Sequence, residues 1–152
     1  IAVDPDAEKR RSAIGLGATD AVAGGPGAAD EILEMTGGGV DCAVETAGVL
    51  GAFETAYAAT RRGGRIVTVG LASPETPFSL DIAAHVTSAK TIRGSYMGSC
   101  NPRIDIPRFV ELYAAGRFPV DKLITHRMPL SDVNTALENM AASAALRQIL
   151  TP

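Results

Sequence analysis

Strand-like and helical segments alternate through the first hundred residues, and this alternation restricts the fold more than any other feature of the chain. Short apolar runs predict strands at Ile1–Asp4, Asp20–Ala23, Val40–Thr46, Arg65–Gly70 and Thr91–Met97. Segments with helical spacing of apolar residues lie between them, at Asp6–Leu16, Ala28–Thr36 and Leu50–Thr60. Strands that alternate with helices predict an α/β fold, with helices on both faces of a doubly wound parallel sheet.

The pattern changes near Gly98, where a second part of the chain begins. Apolar residues at helical spacing follow, and Pro107 fits such a helix only if it lies in the first turn. The remaining predicted elements are a strand-like run, a helix cap and a final strand, at Leu123–Leu130, Ser131 and Leu146–Thr151. We therefore predict two domains, at residues 1–97 and 98–152.

Composition and charge exclude several classes of protein. Of the 152 residues, 46% are hydrophobic, and the formal net charge is −3. The longest basic run, Lys9–Arg11, is typical of a solvated helix face. We expect no nucleic-acid partner and no membrane segment, since no apolar stretch reaches the length of a span. The two cysteines fit neither a disulfide scaffold nor a metal site, so we expect Cys42 in the core and a cytoplasmic protein.

Asp4 ends the first predicted strand and is the strongest candidate for ligand binding. Ligands bind at the carboxyl ends of strands in an open parallel sheet, and an acid there can accept both hydroxyls of a ribose. Such an acid repels the 2′-phosphate of NADP, which favours NAD, and Lys9 can reach the same ribose. An alternative of equal weight is that Asp4, which is followed by Pro5, caps the next helix.

A glycine-rich turn that cradles the pyrophosphate is expected about 20 residues before such an acid. The sequence instead begins close to Asp4, with Ile rather than Met. We therefore interpret the chain as the carboxyl part of a longer protein. Further along, Gly70 ends a β-branched strand and lets a flat ring approach the backbone. His85 and His126 have no partners at metal-ligand spacing and are predicted to be structural or exposed.

Six segments taken together carry a resemblance to a known family: Val3–Asp4, Gly15–Thr19, Gly39–Gly48, Arg62–Gly70, Gly94–Gly98 and Leu123–His126. In order and spacing, from Ile1 to Pro152, the chain resembles the medium-chain, zinc-dependent alcohol dehydrogenases. The resemblance implies a Rossmann-type sheet that lacks its first strand. It also implies that the second part is a short α+β carboxyl-terminal segment of a GroES-like catalytic domain.

The resemblance also implies a set of site residues. The cofactor-binding set is Asp4, Pro5, Lys9, Thr46, Ala47, Val69, Gly70, Leu71, Ser95, Met97 and Arg147. By this resemblance, Asp4 and Lys9 bind the adenosine ribose, and Pro5 and Ala47 flank the adenine. Arg147 pairs with the pyrophosphate. The nicotinamide carboxamide is contacted by the backbone of Val69, Ser95 and Met97. The substrate pocket is implied at Leu71 and Tyr96.

The implied activity is the oxidation of a small alcohol to an aldehyde or ketone, with hydride transfer to NAD. The family's zinc ligands and proton relay belong upstream of Ile1, so we expect no catalytic residue and no metal ligand here, and an inactive chain when it is alone. Family members pair the edge of the last strand of the sheet across a two-fold axis, so a homodimer or higher homo-oligomer is expected.

Three alternatives remain open from the sequence. One is a zinc-free, NADPH-dependent quinone or enone reductase of the same superfamily, which Asp4 disfavours. Another is a methyltransferase-like domain, whose doubly wound sheet also holds a ribose with an acid at the end of its second strand. The last is a non-catalytic remnant that only binds a partner.

Overall fold

The computed structural model describes residues 1–152 and contains seven strands and six helices. The strands are β1 (Ala2–Asp4), β2 (Ala21–Ala23), β3 (Val40–Glu45), β4 (Thr60–Thr68), β5 (Thr91–Gly94), β6 (Ile124–Pro129) and β7 (Arg147–Thr151). The helices are α1 (Ala7–Gly15), α2 (Ala28–Thr36), α3 (Leu50–Ala59), α4 (Ile82–Ser88), α5 (Pro102–Ala114) and α6 (Val133–Ala141). The chain divides into two compact units, Ile1–Ser99 and Cys100–Pro152.

The first unit is a parallel α/β structure, as predicted. Strand β1 pairs with β2, and β3, β4 and β5 form a separate sheet in that order, with parallel pairing throughout. No backbone ladder joins β1 to β3. Helix α2 contacts β2, β3 and α3, so it bridges the two sheets. Strands β1 and β3 therefore each have one edge without a strand partner.

Helix α2 begins and ends at glycines and supplies the core of this unit. Gly27 and Gly37, on either side of the helix, both have left-handed backbone angles, which glycine adopts without a steric penalty. Ala28 and Ile32 lie one helical turn apart on the inward face and pack with Val22 of β2. The predicted boundaries of this helix are confirmed, because the flanking glycines mark both ends in the sequence.

One face of β3 is uncovered. Cys42 is exposed and Val44 is 61% exposed, whereas a strand covered on both faces would bury both. Val3 of β1 is also 43% exposed. The prediction that Cys42 lies in the core is therefore wrong, because no helix of the chain packs against that face of β3.

The second unit contains a parallel β6–β7 pair and two helices. Gln148 on β7 joins the strand to α6: its amide nitrogen donates to the Ala136 carbonyl at 2.8 Å, and its amide oxygen accepts from Asn139 at 3.1 Å. Ala136 is buried. The two hydrogen bonds of the Gln148 side chain thus fix α6 on this small sheet.

Helix α5 begins earlier than the sequence indicates. Asn101 accepts a hydrogen bond from Arg103 N at 3.2 Å, and Asp105 accepts one from Asn101 N at 2.7 Å, so two free N–H groups are satisfied reciprocally. Pro102 then occupies the first turn, and Pro107 lies inside the helix. The prediction that Pro107 requires the first turn is wrong, because the carbonyl that it leaves unpaired lies on an exposed helix, where water can solvate it.

The predicted cap of α6 is also wrong. Ser131 lies in a 3-10 turn, Leu130–Asp132, and its hydroxyl donates to the Asp132 carboxylate at 3.1 Å. Asp132 is the residue that precedes the helix. None of the six helices is long and apolar enough to cross a bilayer.

Candidate cofactor-binding site

Asp4 does not cap helix α1. Its Oδ1 accepts a hydrogen bond from Asp6 N at 2.8 Å, and no protein group donates to its Oδ2. Asp6 is the capping residue, since its Oδ1 accepts from Glu8 N at 2.7 Å and from Lys9 N at 3.2 Å. These bonds from Lys9 N and Glu8 N lower the pKa of Asp6 below its usual value of 3.8. Asp4 therefore keeps one carboxylate oxygen available at the end of β1.

Arg10 holds the backbone beside Asp4 in place. Its Nη1 donates to the Asp4 carbonyl at 2.6 Å and to the Pro5 carbonyl at 2.9 Å. The interpretation of Lys9–Arg11 as a solvated face is wrong for Arg10, which is partly buried, and correct for Arg11, which pairs with Glu8 on the surface. The signal in the sequence is the position of Arg10 in the first turn of α1, where a guanidinium can reach back to the free carbonyls at the strand end.

Pro5 and Lys9 both follow this strand end in the chain. Pro5 packs against Gly24, which follows β2, and Gly24 N donates to the Asp4 carbonyl at 3.2 Å. Lys9 lies in the first turns of α1, and its ammonium makes no ion pair. Asp4, Pro5 and Lys9 are thus brought together by the turn that joins β1 to α1.

The ends of β3 and β4 form a second part of the site. The Glu45 carbonyl accepts from Val69 N at 2.8 Å and from Gly70 N at 3.2 Å. The Glu45 carboxylate accepts from Gly48 N at 2.6 Å and from the Thr68 hydroxyl at 2.9 Å. These bonds bring Thr46 and Ala47, predicted beside the cofactor, close to the predicted strand end of Val69 to Leu71. Sequence reasoning missed Glu45 itself.

Gly48 and Gly70 meet backbone to backbone. A Cβ added at Gly70 would lie against Gly48 N, and one added at Gly48 would lie 2.9 Å from the Leu71 carbonyl oxygen. Gly48 also has a left-handed φ of +69°. Only glycine therefore fits at both positions without separating the two strand ends.

Strand β5 is shorter than predicted. It ends at Gly94, and Ser95 N then donates to the Thr68 carbonyl at 2.9 Å. The chain enters a 3-10 turn with left-handed angles at Met97, Gly98 and Ser99, which a strand cannot contain. Ser95 thus lies just beyond the strand end, beside β4, and Met97 lies in the turn that follows.

The predicted substrate-pocket residues are open to solvent. Leu71 is 86% exposed and Tyr96 is 78% exposed. The cavity at the ends of β3 and β4 has a volume of about 150 Å³, and neither residue lines it. Its walls are mostly apolar and include Val49, Phe53 and Phe78. A cavity of this size is too small for a dinucleotide, which would have to lie on the strand ends.

Arg147 lies in the second unit, at the start of β7, and its side chain makes no ion pair. Its carbonyl accepts from the Thr125 hydroxyl at 3.1 Å.

The two histidines contact hydroxyl groups. His126 contacts the Thr125 hydroxyl through Nδ1 at 3.0 Å, and His85 contacts the Tyr57 hydroxyl at 3.0 Å. No group of three or more His, Cys, Asp or Glu side chains could hold a metal ion.

The chemistry of the strand ends fits a dinucleotide. A free carboxylate oxygen at Asp4 can accept from ribose hydroxyls, and Gly48 and Gly70 keep the backbone at the next strand ends free of side chains. The side chains present do not fit a zinc ion, because they form no ligand cluster.

Comparison with known proteins identifies the family of the chain. A family model described as zinc-binding dehydrogenase matches residues 1–115. The NDMA-dependent alcohol dehydrogenase of Amycolatopsis methanolica is 36% identical over 155 residues, a match that covers 99% of this chain and 42% of that protein.

Solved structures show the same fold. An alcohol dehydrogenase zinc-binding domain protein from Burkholderia ambifaria matches with a TM-score of 0.90 at 33% identity, over 97% of this chain and 40% of that one. Benzyl alcohol dehydrogenase from Acinetobacter calcoaceticus matches with a TM-score of 0.90 at 30% identity, over 97% of this chain and 41% of that one. The chain thus spans about two fifths of the length of these relatives, and it belongs to the zinc-binding dehydrogenase family, the medium-chain, zinc-dependent alcohol dehydrogenases.

Proposed function

We propose that this chain is the NAD-binding part of an alcohol dehydrogenase that oxidises a small alcohol to an aldehyde or ketone. The observation that carries the proposal is the free Oδ2 of Asp4 at the end of a parallel strand, in a chain of this family. Family membership argues against a methyltransferase. A remnant that only binds a partner is disfavoured because the strand ends retain both the acid and the paired glycines.

The residues of the site divide the binding of the cofactor between them. Asp4 would accept hydrogen bonds from the adenosine ribose, and Lys9 would reach the same sugar. Pro5, held by Arg10, would flank the adenine together with Ala47, next to Thr46. Since the N–H groups of Val69 and Ser95 are already bonded, these residues would offer their carbonyl oxygens to the carboxamide.

Other residues would orient the reactive ring. Gly70 would let the nicotinamide approach the strand end, and the backbone of Met97 would contact its carboxamide. Leu71 and Tyr96 would face the substrate. Arg147 would offer a planar guanidinium to the pyrophosphate. When bound, NAD supplies the acceptor for a hydride from the alcohol. The role of these residues is to present one face of the ring and to exclude water.

The catalytic zinc of the family would be held by residues outside this chain. Nothing in residues 1–152 forms a ligand set, so we assign no metal-dependent step to them. We propose that residues 1–97 belong to the NAD-binding domain and that residues 98–152 return into the catalytic domain. Two unpaired cysteines and a small-molecule substrate favour a cytoplasmic enzyme.

The division of the first unit into two sheets suggests that a further strand lies between them in the intact protein. Strand β1 pairs only with β2 and β3 only with β4, while Val3 and Val44 remain exposed beside these edges. We propose that one further parallel strand, from the length that the relatives have in addition, pairs with β1 and β3. It would complete the doubly wound order in which the first strand is central.

The intact protein is expected to use NAD in preference to NADP. The Asp4 carboxylate would repel the 2′-phosphate, and removing it in Asp4→Ala should raise the ratio of kcat/KM for NADP over NAD at least about tenfold. Steady-state kinetics with both cofactors measure this ratio. Glu8→Gln removes a nearby negative charge that does not face the ribose, and it should leave the ratio unchanged. Better activity of the unmodified protein with NADP would support the NADPH-dependent alternative, and a related dehydrogenase from Sinorhizobium meliloti was solved with NADP bound.

We also propose a homodimer, or a larger assembly containing this dimer, built on β5. This strand pairs with β4 on one side, and its other edge presents unpaired backbone groups next to the exposed Tyr96 and Met97. Light scattering on the intact protein should give at least twice the mass of one subunit, and the mass should hold on dilution through the micromolar range. A single-subunit mass at these concentrations would contradict the proposal.

A further inference from the structure

Glu45 is a buried carboxylate at the carboxyl end of β3. It is 4% exposed, and none of the three ion pairs of the chain includes it. Burying an anion without a cation is costly unless hydrogen bonds replace its hydration. Both oxygens of Glu45 are satisfied in this way, one by Gly48 N at 2.6 Å and the other by the Thr68 hydroxyl at 2.9 Å. The free-energy cost of burying this carboxylate suggests that its hydrogen bonds have a specific role at the strand end.

The backbone of Glu45 explains why its side chain is needed. Its carbonyl oxygen accepts from Val69 N and Gly70 N, which lie at the end of β4. The turn after β3 therefore closes through the side chain, since Gly48 N reaches the carboxylate rather than that carbonyl. One residue thus supplies four acceptor contacts that join the turn after β3 to the end of β4.

The close contact of Gly48 with Gly70 shows how narrow the spacing is. Cβ atoms at these positions would meet backbone of the opposite segment. Four hydrogen bonds to Glu45 therefore hold together two segments that have no side chains between them at this point. The segments are Thr46–Gly48 and Val69–Leu71, and both belong to the proposed cofactor site.

We propose that Glu45 is a positioning residue for the dinucleotide: its carboxylate sets the distance between the segment beside the adenine and the segment beside the nicotinamide. Glu45 does not touch the cofactor in this role. The inference rests on the proposed function, because it assumes that NAD lies across these two strand ends. It differs from a purely structural role, in which Glu45 would contribute only to folding.

The two roles predict different results for Glu45→Met in the intact protein. Methionine has nearly the same length and is apolar, so the variant removes both acceptors while it also removes the buried charge. We expect the dissociation constant for NAD, measured by calorimetry well below the melting temperature, to rise at least about tenfold. The KM for NAD should rise with it, and the KM for the alcohol should change less than about threefold. A purely structural role would instead lower the melting temperature, as Gly48 N and the Thr68 hydroxyl lose their acceptor, and leave the NAD affinity of the folded protein unchanged.

Glu45→Gln is the conservative comparison. Its amide oxygen can accept from Gly48 N, and its amide nitrogen can donate to the Thr68 oxygen, because a hydroxyl can reverse its role. NAD binding should therefore stay within about threefold of the unmodified protein. Ile32→Val, in the core between β2 and α2, is the stability control: it should lower the melting temperature and leave NAD binding unchanged.

A second pair of variants keeps the test decisive if Glu45→Met does not fold. Thr68→Val removes only the donor to Oε2, and Thr68→Ser retains it. We expect weaker NAD binding in the first and binding as in the unmodified protein in the second. Unchanged NAD affinity in Thr68→Val, or in a folded Glu45→Met, would overturn the positioning role. If the unmodified protein itself does not bind NAD, it is the proposed function that fails.

Discussion

Residues 1–152, produced alone, are expected to show no cooperative unfolding transition as a monomer and to oxidise no alcohol. Strands β1 and β3 each have an edge without a partner, and Val3 and Val44 are exposed beside them. If the chain collapses to bury these apolar groups, each backbone N–H or C=O left unpaired costs about 1–3 kcal/mol. A few such groups approach the roughly 5–15 kcal/mol that stabilises an ordinary domain. Association through the open edges is the expected alternative.

The experiment compares the isolated chain with the intact protein in the same buffer. Circular dichroism during heating reports the transition, size-exclusion chromatography with light scattering reports the mass, and an assay with NAD and zinc reports turnover. The intact protein should unfold cooperatively and show activity. A cooperative melt of the isolated chain as a monomer, or metal-dependent turnover by it, would contradict the expectation.

Gly70→Ala is expected to weaken NAD binding at least about tenfold, because a methyl group at this position would collide with Gly48. The two strand ends must then separate, and the hydrogen bond from residue 70 N to the Glu45 carbonyl is strained. Forced overpacking of this kind costs about 1–3 kcal/mol. Calorimetric titration with NAD measures the loss in affinity, and a thermal melt measures the loss in stability.

Gly51→Ala is the matched control for the same chemical change. Gly51 lies in α3, nothing lies within 4 Å of its added Cβ, and alanine favours helix. We expect unchanged NAD binding and equal or slightly higher stability. If both alanine variants bind NAD as the unmodified protein does, the close approach of Gly48 to Gly70 does not matter for the cofactor.

The sequence predicted the elements whose ends are marked by glycine. The bounds of α2 are set by Gly27 and Gly37, whose left-handed conformations only glycine adopts easily. Prediction from the sequence failed at residues whose conformation or burial depends on tertiary contacts. Met97 looks like a strand residue because it is apolar, but its backbone is left-handed. Cys42 looks like a core residue because its strand is apolar, but it is exposed in the folded chain.

The candidate site was predictable to the same extent. Asp4 and Gly70 are recognisable because Asp4 ends an apolar strand and Gly70 follows shortly after another. Arg10 and Glu45 were missed, since their roles depend on carbonyl and amide groups whose positions only the folded chain defines. In the sequence, Arg10 stands in a basic run on a helix, and Glu45 stands at the end of a strand like any solvated acid.

Asp4 and Asp6 have different roles, and this difference bears on how such proteins diversify. Asp6 alone caps α1, and Arg10 holds the turn through main-chain carbonyls, which every amino acid has. A change of the side chain at residue 4 therefore removes one hydrogen bond, from Asp6 N, but keeps the cap of α1 and both bonds from Arg10. In the role proposed for Asp4, substitution at this residue would let an evolving lineage exchange one dinucleotide for another while the surrounding scaffold is inherited.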